Sequence, residues 1–249
     1  MSDPDLQRLA AVAVVFFLAG AVKGVLGMGL PTVGIALLGL VMPVPQAASL
    51  IAVPSFATNV WQAARGGRLR ALLARLWPML LAAFAGIALG APLMEARHAR
   101  LSALLLGGCL LAYGIAGLAG LRLPRPVPRR ERITGAIAGG LTGLLTAATG
   151  VFALPAVPFL QALGLPKDEL TQALGMYFTA STIGLAAILW RSGALNLGAG
   201  WVSAAALVPA LLGMAAGQAW RNRFSEQAFR RALFGGLAVL GAWMLVRGV

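Results

Sequence analysis

Apolar residues fill this chain in long runs, and short polar breaks divide the runs into ten segments. They lie at approximately 6–27, 29–42, 45–64, 71–93, 99–121, 132–148, 151–164, 167–190, 196–219 and 227–247. At 1.5 Å per helical residue most of these can cross about 30 Å of hydrocarbon. The second and seventh are too short between their glycine and proline breakers, so they are expected to be half-helices or arms of broken hairpins.

The two sets of five match. "AGAVKGVLGMGLP" followed by "LLGLVMPVPQA" parallels "AGGLTGLLTAATG" followed by "FLQALGLPKDE". Each has a Gly-x3-Gly pair (Gly20 and Gly24; Gly139 and Gly143), a small-residue break, a short apolar run and a proline turn opening the third segment (Pro45; Pro166). "RLPRPVPRRER", residues 122–132, is polar and proline-rich, and reads as a linker. The expected fold class is therefore all-α: a polytopic helical membrane protein of two repeats, 1–121 and 133–249.

Composition agrees with that solvent. Of 249 residues, 59% are hydrophobic and only 11% charged, against about 25% charged in a soluble domain. The first segment follows an acidic start and has no basic flank, so it is expected to be retained rather than removed as a signal. The net charge of +13 does not form one face, which argues against nucleic acid. Arginines instead cluster between apolar runs, as in cytoplasmic loops.

Inverting the second repeat puts fourteen basic residues (Arg65–Arg75, the linker, Lys167 and Arg221–Arg231) on one side and five (Arg8, Arg97, Arg100, Arg191, Arg247) on the other. A parallel arrangement gives 12 against 7. Inverted repeats are thus favoured, with both termini outside and the linker cytoplasmic.

Candidate chemistry is sparse. A single cysteine, Cys109, and a single histidine, His98, leave no disulfide framework and no metal cluster. No phosphate loop, HExxH or GxSxG stands in the sequence, so neither an enzyme nor a cofactor is expected. Lys23 is the one ionisable residue well inside an apolar run, where a charge costs at least about 2.5 kcal/mol. It is either an anion's partner or a side chain snorkelling to the interface.

Gly27, Gly29 and Pro31 form the break, and a half-helix starting at Pro31 would aim free N–H groups at an anion. Thr146, Thr149 and Gly150 hold the matching place with hydroxyls. On the third segment Ser55, Thr58, Asn59 and Gln62 share one helical face, and Tyr177 and Ser181 are their rough counterparts. Such stripes bond neighbouring helices or line a path.

With these features assembled, the chain resembles the sulfite exporter TauE/SafE family over most of its length. The most specific residues are "KGVLGMGLP", "MPVPQAASL" and "NVWQAARGG". The family's glycine-rich break maps onto Gly24, Gly27, Gly29 and Pro31; the second copy departs from it at Thr146 and Ala147. The resemblance implies a membrane permease moving small sulfur-containing or carboxylate anions outward, typically sulfite or organosulfonates. The expected partners are that anion, the lipid bilayer, protons as a coupling ion and a second copy in a homodimer. One repeat would rock against the other. A passive anion channel and a non-transporting scaffold are the alternatives.

Overall fold

A computed structural model describes residues 3–94, 98–195, 197–220 and 225–247. Arg97, Arg221 and Arg223 of the loop-charge comparison lie outside them. Ten α-helices follow one another: α1 (Asp3–Leu26), α2 (Leu30–Leu38), α3 (Val44–Ala64), α4 (Leu69–Gly90) and α5 (Ala99–Leu118), then α6 (Glu131–Thr149), α7 (Ala156–Ala162), α8 (Lys167–Arg191), α9 (Leu197–Trp220) and α10 (Glu226–Arg247). No strand occurs among the described residues. Five helical stretches, Leu69–Met94, Ala99–Leu118, Lys167–Arg191, Gly200–Trp220 and Gln227–Arg247, are long and apolar enough to cross a bilayer. Large apolar side chains cover the outside, with Leu89 78% and Trp201 77% exposed. Only a lipid solvent makes such a surface stable.

The two short segments are short helices of 9 and 7 residues, roughly 14 and 11 Å long. Both fold back. Gly29 packs against Val22 and Gly34 against Ala19, so α2 runs antiparallel to α1. Likewise the amide of Ala156 reaches Thr142, and Gly135 meets Phe159, so α7 runs back along α6. Positive φ makes these turns: Gly29 has φ 107° and Gly150 has φ 70°, values that glycine adopts without strain. Pro31 stands in the first turn of α2, where its missing N–H costs nothing.

The third helix of each half opens on a proline cap of matching geometry: Pro43 at φ −58°, ψ 145° and Pro166 at φ −51°, ψ 151°. The equivalent of Pro166 is therefore Pro43, not Pro45, which falls inside the first turn of α3.

Packing repeats with an offset of five helices. The closest interfaces are α4 with α6, α1 with α9, α5 with α10 and α3 with α8. Gly20 and Gly24 rest on the carbonyls of Ala210 and Met214, and Gly139 and Gly143 on those of Met79 and Ala83. A methyl at any of the four would collide with main chain, so these Gly-x3-Gly pairs are contact surfaces. All four closest interfaces join the first five helices to the last five, so the halves interleave and share one core.

Pro54 interrupts α3 and leaves the Leu50 carbonyl without its usual amide. Ser203 of α9 repairs the gap, donating to Leu50 O at 2.7 Å and accepting from Val53 N at 3.1 Å. At the other end of the bundle, Arg75 and Glu131 form a two-pronged ion pair of 2.5 and 2.8 Å between α4 and α6.

Candidate functional site

Lys23 lies three residues before the end of α1 and is only 4% exposed. Its ammonium donates to Thr58 Oγ1 at 3.1 Å and to Asn59 Oδ1. Thr58 can accept because its own hydroxyl proton goes to Pro54 O at 2.7 Å. An ammonium has three donors, so one remains beyond these two bonds. No carboxylate is buried among the described residues. The described acids near the basic face are not buried: Asp168 is exposed, Glu169 lies against Arg68 and Glu131 against Arg75.

Lys23 forms the inner wall of a half-open cavity of about 550 Å³. Thr58, Gln62 and the Gly27 backbone share that wall, while Arg65, Lys167 and Arg230 stand around the rest of the space. Arg65 is held over the Trp61 ring at 4.0 Å and Arg230 over Phe234 at 5.5 Å. Every ionisable side chain lining the cavity among the described residues is basic, which gives those walls a positive potential.

A second set of polar groups lies on α3 and α8, outside the lining of that cavity, and Asn59 joins it to Lys23. Ser55 Oγ, Asn59 Nδ2, Tyr177 OH and Ser181 Oγ are fully buried and have no hydrogen-bond partner. The Tyr177 hydroxyl lies beside the side chains of Thr142 and Ser181 without a well-formed bond to either. Buried polar groups are normally satisfied, so these four orphans on two packed helices are donors and acceptors still open to a polar ligand.

The other sequence-nominated residues have structural duties. Gln62 spends both amide protons, on Gly27 O and Thr171 O, each at 2.9 Å. Gln172 answers from α8, bonding Ala63 O at 2.8 Å and Arg68 N at 3.0 Å. Thr146 donates to Val151 O, while Thr149 donates to Leu145 O and accepts from Val151 N. These two hydroxyls build the second break and have no proton left for a ligand. Gly150 abuts Ile35 of α2.

Pro31, Gly29, Thr146, Thr149 and Gly150 do not line the cavity. Two helix starts therefore do not converge on it, and the buried basic side chain of the cavity, Lys23, comes from the first half. In the second half Thr142 occupies the matching position on α6. Its hydroxyl is committed to Ala138 O and the Ala156 amide.

Arg65, Lys167 and Arg230 enter the site although the sequence placed them only in loops. Their clustering comes from α3, α8 and α10 meeting at one end of the bundle, which no local spacing announces.

A buried lysine at the head of a cavity lined by basic side chains, inside a bundle of apolar-faced helices, belongs to an integral membrane protein. The sequence model of the sulfite exporter TauE/SafE family matches residues 12–244. The chain belongs to that family, and it is a multi-pass membrane transporter. Neither a curated protein nor a solved structure matches it.

Proposed function

We propose that this chain is a secondary carrier that exports sulfite or a related small organosulfonate across the plasma (inner) membrane. Lys23 carries the reading: it is buried, no acid is buried beside it among the described residues, and an anion sharing its site would offset the cost of holding its charge there. Asn59 Nδ2, Ser55, Tyr177 and Ser181 supply the remaining hydrogen bonds to the anion's oxygens. Arg65, Lys167 and Arg230 gather anions at the mouth.

The basic mouth faces the cytoplasm on the positive-inside rule, with the two halves inverted and the linker cytoplasmic. Lys23 and Thr58, both buried, line the cavity, and a site that ends on buried side chains favours a carrier over an open channel. Rocking one half against the other would tear all four principal interfaces. The moving bodies are better drawn as mixed groups, α1, α2, α3 and α9 against α4, α6, α7 and α8, sliding at the α3–α8 crossing.

The test is sulfite release from proteoliposomes loaded with sulfite. Saturable release by the wild-type chain, absent in empty vesicles, supports a carrier. Release that never saturates points to a passive channel, and no release of sulfite or any sulfonate removes the proposal.

A further inference from the structure

Lys23 is the one ionisable side chain buried at the inner site among the described residues, and Thr142 stands at the equivalent position of the second half. The charged groups facing Lys23 from its neighbours are Arg65 on α3, Lys167 on α8 and Arg230 on α10; α2 and α9 contribute none to the cavity. Arg65 and Lys167 are exposed and Arg230 is half-buried. Arg65 and Lys167 are open to screening by salt, which weakens their pull at the inner site. The groups bonded to the ammonium, Thr58 and Asn59, are neutral, and Asn59 Nδ2 and the hydroxyls of Ser55, Tyr177 and Ser181 on α3 and α8 are buried and without partners. Hydroxyls of this kind both donate and accept, so they suit an oxyanion that carries a proton or a carbon substituent.

A single buried cation exactly offsets a single negative charge. A monoanion forms a neutral pair with it, whereas a dianion leaves one uncompensated charge at membrane depth. Resting on the exporter reading, we propose that the Lys23 site takes singly charged oxyanions: hydrogen sulfite or a sulfonate, and neither the sulfite nor the sulfate dianion. Each hydrogen sulfite that leaves takes its own proton and releases it on re-ionising outside. Proton-linked export then needs no buried carboxylate, and among the described residues none is present.

The experiment measures flux by the intact chain in proteoliposomes with equal pH on both sides, from about pH 6 to about pH 8. The three probes are sulfite, whose second ionisation falls near neutral pH, methanesulfonate, a monoanion throughout, and sulfate, a dianion throughout. The expected half-saturation for total sulfite rises by up to about tenfold per pH unit above that ionisation, while that for methanesulfonate stays flat. Sulfate should compete at least about fiftyfold more weakly than methanesulfonate, the least that one uncompensated charge at this depth costs.

Sulfite saturation that ignores pH, methanesulfonate that drifts in step with sulfite, or sulfate competing as well as methanesulfonate would each overturn the monoanion assignment while leaving an exporter in place. Absence of flux for all three probes overturns the exporter reading and this one with it.

Discussion

Lys23 and Asn59, 36 residues apart in sequence, meet between α1 and α3, with the lysine donating to the asparagine's side-chain oxygen. That bond fixes the amide so that its nitrogen, buried and unpartnered, is left as a donor beside the ammonium. Changing Asn59→Asp keeps the shape but gives Lys23 a permanent counter-ion. The expected result is a loss of sulfite affinity of at least about fiftyfold, with a melting temperature no lower than wild type. Binding calorimetry and thermal unfolding in detergent check the two halves of this outcome. A fold that survives while binding is unchanged would detach Asn59 from the site.

The mouth residues should act on capture and not on the bound state. Arg65→Gln and Arg230→Gln are each expected to lower kcat/KM by roughly threefold to tenfold at low ionic strength, with kcat unchanged. The difference should fade as salt is raised and the Debye length shortens. Initial rates across a salt series decide it; a salt-independent effect would mean that the arginines are structural.

Gly24 on α1 and Gly143 on α6 press against the carbonyls of Met214 and Ala83. Gly24→Val and Gly143→Val are each expected to destabilise the protein by about 1–3 kcal/mol through overpacking. Gly108, which has open space around it in α5, is the control: Gly108→Ala should be neutral or stabilise by up to about 1 kcal/mol. Denaturation in detergent compares all three, and equal losses at the two paired sites are the signature of duplicated packing.

Ser203 completes the hydrogen bonding that Pro54 leaves open in α3. Ser203→Ala should cost about 1–3 kcal/mol by stranding the Leu50 carbonyl. Adding Pro54→Ala restores an amide donor within the helix, so the double variant should recover part of the loss. A double-mutant cycle on unfolding free energy reads the coupling directly, and strict additivity would contradict it.

Much of this was legible in the sequence because bilayers demand long apolar runs and tolerate few exceptions. The ten segments, the two short ones and the lysine inside the first all stand out for that reason. The face shared by Ser55, Thr58, Asn59 and Gln62 was also legible, since helical spacing alone places residues 3 and 4 apart together. Sorting that face was not: Gln62 is consumed by two backbone carbonyls on other segments, while Ser55 and Asn59 Nδ2 are left free.

Thr146 and Thr149 show the same limit. A hydroxyl at a helix end can satisfy a local carbonyl as easily as a ligand, and here both do. The proline register was misread for a related reason, since Pro43 and Pro45 offer equally good helix starts and only the backbone angles choose between them. Arg230 and Ser203 were out of reach, because each acts through a contact between distant helices.

The most direct test of the central claim is equilibrium sulfite binding to purified protein, comparing wild type with Lys23→Gln and Lys23→Arg. Removing the charge should abolish measurable binding without unfolding the protein, and arginine, which keeps the charge in a larger shape, should retain part of it. Wild-type affinity in Lys23→Gln would contradict the assignment of Lys23 as the residue that holds the anion.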